Sequence, residues 1–121
     1  MQKRILIAED EDTAREALAN LAAIQGYDVT TVTNGVDLLS VAAKERFDVV
    51  ITDLMMKDLN GVSAAEIMKM QENTTPVIAL TAVSAQDIRN VQKSFTRIFH
   101  KPVNIRELFE YVETLIGTTT R

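Results

Sequence analysis

Ile5-Leu6-Ile7-Ala8-Glu9-Asp10-Glu11-Asp12 runs from four apolar residues straight into four acids. A short, continuous apolar run of this kind reads as a strand buried on both faces of a parallel sheet. Three further runs repeat the pattern: Val49-Val50-Ile51-Thr52 ends on Asp53, Val77-Ile78-Ala79-Leu80 on Thr81, and Ile98-Phe99-His100 on Lys101-Pro102. Ligands of open α/β sheets bind outside the carboxyl ends of the strands, so the pattern predicts that these polar residues converge on one crevice.

The segments between the runs alternate with them. Thr13 to Gln25 carries Ala14, Ala17, Leu18, Leu21, Ala22 and Ile24 at helical spacing, and Gly26 stands where a helix C′ residue is wanted. Tyr27 to Val32 mixes polar and apolar residues as an edge strand does. Asn34-Gly35 reads as a turn before a second helix through Val41 and Ala42, and Phe47 to Thr52 as the next strand. Leu54 to Gly61, with Lys57-Asp58 and Asn60-Gly61, reads as a loop before a helix over Val62 to Gln71. Ser84 with Asp87, and Asn104 with Glu107, resemble capping boxes. The first opens a helix to about Ser94; the second opens the last helix, whose stripe is Ile105, Leu108, Phe109, Val112, Leu115 and Ile116. Five strands alternating with five helices predict a doubly wound α/β fold with a parallel sheet covered on both faces.

Composition narrows the function classes. The 121 residues suit one domain, with a core expected over 3–117 and 118–121 as a tail or the start of a linker. There is no cysteine, which excludes disulfides and thiolate metal sites. No stretch approaches the ~20 apolar residues of a membrane span, and the amino terminus lacks a long hydrophobic export region, so the expectation is a cytoplasmic protein. Thirteen Lys and Arg against seventeen Asp and Glu leave a net charge of −4, which argues against direct nucleic-acid binding.

Glu9, Asp10 and Asp53 are three carboxylates that the strand argument places together, where like charges oppose one another unless a cation compensates. The bland reading of Glu9 to Asp12 is a solvated charge run, but the run begins at the end of an apolar strand. Oxygen ligands without His or Cys favour Mg²⁺ or Mn²⁺, and Mg²⁺ commonly takes one or two carboxylates and a phosphate oxygen. A carboxylate can itself accept a phosphoryl group; Lys101 would neutralise the phosphoryl oxygens and Thr81 donate a hydrogen bond to them. A Ser-His-Asp arrangement would need His100, the only histidine, which strand alternation turns away from the crevice. Met55, Met56, Met68 and Met70 read as packing and loop residues.

Taken together, Ile5 to Glu11, Asp53-Leu54-Met55-Met56 with Asn60-Gly61, Leu80-Thr81-Ala82 and Lys101-Pro102 resemble the receiver domain of two-component response regulators, over the whole chain. The resemblance implies a flavodoxin-like five-stranded sheet in the order 2-1-3-4-5, with Asp53 as phosphoacceptor. It implies Mg²⁺, with Mn²⁺ as substitute, held by Asp10, Asp53 and the main-chain carbonyl of Met55, with Glu9 acting mainly through a metal-bound water. Thr81 would move toward the phosphoryl group, Lys101 would pair with it, and the Lys101–Pro102 bond would be cis. The donor would be a histidine kinase or a histidine phosphotransfer protein. Output to an effector domain or target protein would pass through the fourth helix, fifth strand and fifth helix, and the only catalysis would be transfer onto, and hydrolysis from, Asp53 itself.

The chain departs from the family pattern in places. Lys57 stands where proline is common, Ile98 where an aromatic switch residue is usual, and Ser94-Phe95 replaces Gly-Ala. The interval of 20 residues from Thr81 to Lys101 is short for the family. These changes bear on output rather than on the acceptor chemistry. Competing readings are a phosphate-independent docking module of the same fold and a small aspartate-nucleophile phosphatase, although Asp53-Leu54-Met55 lacks the second acid such enzymes use. A flavin module is disfavoured because Glu9 to Asp12 would repel a flavin phosphate.

Overall fold

The computed structural model describes residues 2–56, 58–82 and 92–117. Each apolar run forms a strand: β1 (Arg4–Ala8), β3 (Val49–Asp53), β4 (Val77–Thr81) and β5 (Arg97–His100), with β2 (Asp28–Val32) between the first two in sequence. They pair in parallel in the order β2-β1-β3-β4-β5, so β1, β3 and β4 are interior and β2 is an edge, as its polar residues predict.

Four α-helices occur among the described residues: α1 (Asp12–Ile24), α2 (Gly35–Lys44), α3 (Gly61–Met70) and α4 (Ile105–Ile116). The expected helix beginning at Ser84 falls mostly on 83–91, outside the described residues, and its last three positions, Gln92–Ser94, form a 3₁₀ turn. Phe95, one of the departures from the family pattern, follows that turn and is buried in the core.

Strand alternation sorts the interior into two cores. Leu6, Ala8, Val50 and Ala79 pack with Leu38 of α2 and Ala64, Ala65 and Met68 of α3. Ile5, Ile7, Val49, Ile51, Ile78, Leu80 and Phe99 pack with Leu18 and Ala22 of α1 and Leu108, Phe109 and Val112 of α4. Met68 is thus a core residue, whereas Met55 and Met70 are exposed. No helix of the described residues is long and apolar enough to cross a membrane.

Each Asn-Gly pair opens a helix, where the sequence reads a turn at Asn34-Gly35 and the end of a loop at Asn60-Gly61. Asn34 and Asn60 are helix N-caps, their side chains accepting from Asp37 N at 2.8 Å and Ser63 N at 2.9 Å. Gly35 and Gly61 are first helical residues, and what they supply is room. A Cβ on Gly35 would stand 1.9 Å from the Leu59 carbonyl oxygen, and one on Gly61 2.5 Å from that of Asp53. The β3–α3 loop is therefore pressed against α2 on one side and against the end of β3 on the other.

Candidate functional site

Asp53 closes β3 with its carboxylate buried at the end of the strand. Oδ1 accepts from the Met55 amide at 3.0 Å, and Oδ2 accepts from Lys101 Nζ at 2.6 Å. The same ammonium reaches Glu9 Oε1 at 3.5 Å, while Glu9 Oε2 accepts from the Glu11 amide at 3.1 Å. Glu9, Asp10 and Asp53 each offer an oxygen within 4.8 Å of the others. The strand ends thus converge as the sequence predicts.

The Lys101 ammonium pairs with two of the three carboxylates, Asp53 and Glu9. Burial pushes the Glu9 carboxyl above its ordinary range, and Asp53 raises it further against the opposing pull of the Glu11 amide and Lys101. Burial works to depress Lys101, but its hydrogen bond and attraction to Asp53, with Glu9 adding, outweigh that and hold the ammonium above its usual range. A donor set of carboxylate oxygens with surplus negative charge fits a hard divalent cation.

The supporting backbone explains why these side chains meet. Lys101 N donates to Thr81 O at 2.7 Å, carrying the pairing of β5 with β4 past the strand end, and the Lys101–Pro102 peptide is cis as expected. Thr81 is fully buried at the end of β4. His100 is exposed, on the Ile98 side of β5 and opposite the buried Phe99, away from the carboxylates. Met55, two residues past Asp53, is 66% exposed. Lys57 lies outside the described residues.

Three contributors escape the sequence reading. Glu11 caps α1, its side chain accepting from Ala14 N, so the third acid of the run is a structural cap. Thr52 Oγ1 donates to the Asp53 carbonyl at 2.9 Å and lies 3.9 Å from Met56 Sδ, fixing the start of the loop. Arg15, on α1, donates to the Glu9 carbonyl at 3.0 Å. A charged residue one turn inside a helix was the only available signal for it.

Comparison with known proteins gives one family. The family model for the response regulator receiver domain matches residues 5–113. Response regulator MprA of Mycobacterium sp. (strain KMS) is 27% identical over 99% of this chain and 53% of its own. The chain spans about half or less of the length of the curated relatives it matches. The receiver domain of the Francisella response regulator 1452 superposes with a TM-score of 0.90 at 29% identity, covering 95% of this chain and 97% of that one. The receiver domain of sensor histidine kinase PA1611 from Pseudomonas aeruginosa PAO1, with a magnesium ion coordinated in the active site cleft, gives 0.89 at 30% identity, covering 97% and 99%.

Proposed function

The chain belongs to the response regulator receiver domain family of two-component systems, and from that premise we propose that Asp53 accepts a phosphoryl group and serves as the switch of a phosphorelay. The observation that carries this reading is the buried Asp53 carboxylate, held at 2.6 Å by Lys101 between two further acids.

In this reading Asp10, Asp53 and the main-chain carbonyl of Met55 would hold Mg²⁺ and Glu9 would add negative charge beside them; the magnesium in the Pseudomonas receiver domain is a parallel. When bound, the cation supplies positive charge that lets a phosphoryl anion approach three carboxylates. A carboxylate oxygen of Asp53 attacks phosphorus in line. The O–P bond forms as the bond to the donor breaks, and the donor leaves with the bonding electrons and takes a proton from solvent. The Met55 amide orients one acceptor oxygen; Lys101 leaves the carboxylate to pair with the phosphoryl oxygens; Thr81 donates its hydroxyl to them. The donor is a phosphohistidine of a kinase or phosphotransfer protein. The output partner is an effector domain or target protein that reads β5, the last helix (α4) and the helix expected after Ser84.

Intact-mass measurement after incubation with acetyl phosphate, with and without EDTA, tests this reading. Addition of one phosphoryl group only with Mg²⁺ or Mn²⁺, and none on Asp53→Asn, is expected. Full labelling of Asp53→Asn, or labelling without metal, would overturn it.

A further inference from the structure

We propose that Arg15 is a positioning residue of the carboxylate site, holding the Glu9–Asp10 peptide so that the Asp10 carboxylate is presented to a divalent cation. The inference rests on reading Glu9, Asp10 and Asp53 as a divalent-cation site.

Arg15 is part of α1, yet its guanidinium turns back toward the strand it follows. One nitrogen donates to the Glu9 carbonyl oxygen at 3.0 Å and another to Asp12 Oδ1 at 2.6 Å. The side chain is only 16% exposed, unlike that of Asp12 at 81%. The fork therefore ties the residue after β1 to the first residue of α1, and Asp10 lies in the span between the two ties. A peptide plane fixed at its carbonyl fixes the position of the next Cα and leaves only rotation about its N–Cα bond to aim the side chain. A planar guanidinium can bridge two acceptors in this way, whereas an ammonium is a single point charge.

Charge and position make opposite predictions. If Arg15 only offset the acids from Glu9 to Asp12, removing it would leave the site more negative and cation binding tighter. If it positions Asp10, removing it weakens binding despite the more favourable field. Groups that orient a ligand without touching the metal are commonly worth about tenfold or more in affinity.

The test is Mg²⁺ titration calorimetry of the whole chain as wild type, Arg15→Met, Arg15→Lys and Asp12→Asn, with thermal midpoints recorded without metal. Arg15→Met is expected to bind about tenfold more weakly, or worse. Arg15→Lys, which keeps the charge and loses the fork, is expected to fall between it and wild type, and Asp12→Asn to weaken binding in the same direction. These losses should not track the midpoints. Arg15→Met binding as tightly as wild type or tighter overturns the inference and leaves the proposed function standing. If Arg15→Met does not fold, Arg15→Lys decides alone, and wild-type affinity there overturns the inference. A wild type that binds no Mg²⁺ overturns the cation-site reading, and the role of Arg15 falls with it.

Discussion

The Lys101 ammonium sits 2.6 Å from Asp53 Oδ2, closer than the 3.5 Å that separates it from Glu9. This ammonium offsets part of the charge of two buried carboxylates. Breaking a buried pair from one side is costly, but the Lys101 side chain is 35% exposed and solvent screens part of the loss. Lys101→Met is expected to destabilise the metal-free protein by about 1–2 kcal/mol. Adding Asp53→Asn should recover part of it, because the repulsion then disappears. Urea unfolding of the two single variants and the double variant measures the coupling.

Burial raises the Glu9 carboxyl above its ordinary value of 4.5 in the folded protein. The native state then binds this proton more tightly than the unfolded state does. Its stabilising contribution is complete below the ordinary value and is lost as pH rises through the raised one. Glu9→Gln should therefore be more stable than wild type above that window and show a flatter profile through it. Urea midpoints from about pH 4 to about pH 8, without divalent cations, decide the matter; a wild-type curve parallel to that of Glu9→Gln would contradict the assignment.

Gly61→Ala should act directly on the main chain of Asp53. The added Cβ would meet the Asp53 carbonyl oxygen at 2.5 Å and the Leu54 Cα at 3.2 Å, all backbone, so the loop or the strand end must move. A loss of about 1–3 kcal/mol is expected from overpacking, accompanied by slower acetyl-phosphate labelling. Gly35→Ala, whose clash is with Leu59 on the far side of the loop, should cost stability with a smaller effect on labelling. Equal labelling rates in both variants would separate the loop from the acceptor.

Met55 flanks Asp53, the proposed acceptor, its amide 3.0 Å from Asp53 Oδ1 and its side chain exposed. A thioether cannot hold a water in line with phosphorus, so slow self-dephosphorylation is expected. Met55→Asn should shorten the lifetime of the phosphorylated protein; about 1.4 kcal/mol of transition-state stabilisation would give tenfold. Val83, which stands two residues past Thr81 as Met55 stands two past Asp53, lies outside the described residues. Decay followed by intact mass checks the Met55 effect.

The strand-end pattern is legible because Glu9, Asp53, Thr81 and Lys101 each follow an apolar run, and a parallel sheet aligns such ends. Glu9, Asp53 and Lys101 needed no other information to be placed together. Asn34-Gly35 reads as a turn, and the cap role of Asn60 inside a loop end goes unseen, because a glycine after asparagine looks the same whether it supplies a positive φ or merely lacks a Cβ. Which applies depends on the neighbour, here Leu59 or Asp53, and that neighbour is set by tertiary packing. Glu11 was hidden inside a run of acids, since a cap is distinguished by backbone conformation rather than residue type. Arg15 and Thr52 act on main-chain carbonyls, whose positions periodicity does not report.

The ion pairs of Lys101 close long circuits of chain, spanning 48 residues to Asp53 and 92 to Glu9. Contacts so distant in sequence are slow to form, because the intervening chain must already be ordered. Their donor follows β5, the strand added to the sheet beyond β4. A chain still emerging from the ribosome, or one whose last strand has not docked, presents Asp53 without its lysine. Completion of the Asp53–Lys101 pair is thereby tied to completion of the fold, and under the proposed function competence to receive a phosphoryl group becomes a check on the integrity of the molecule.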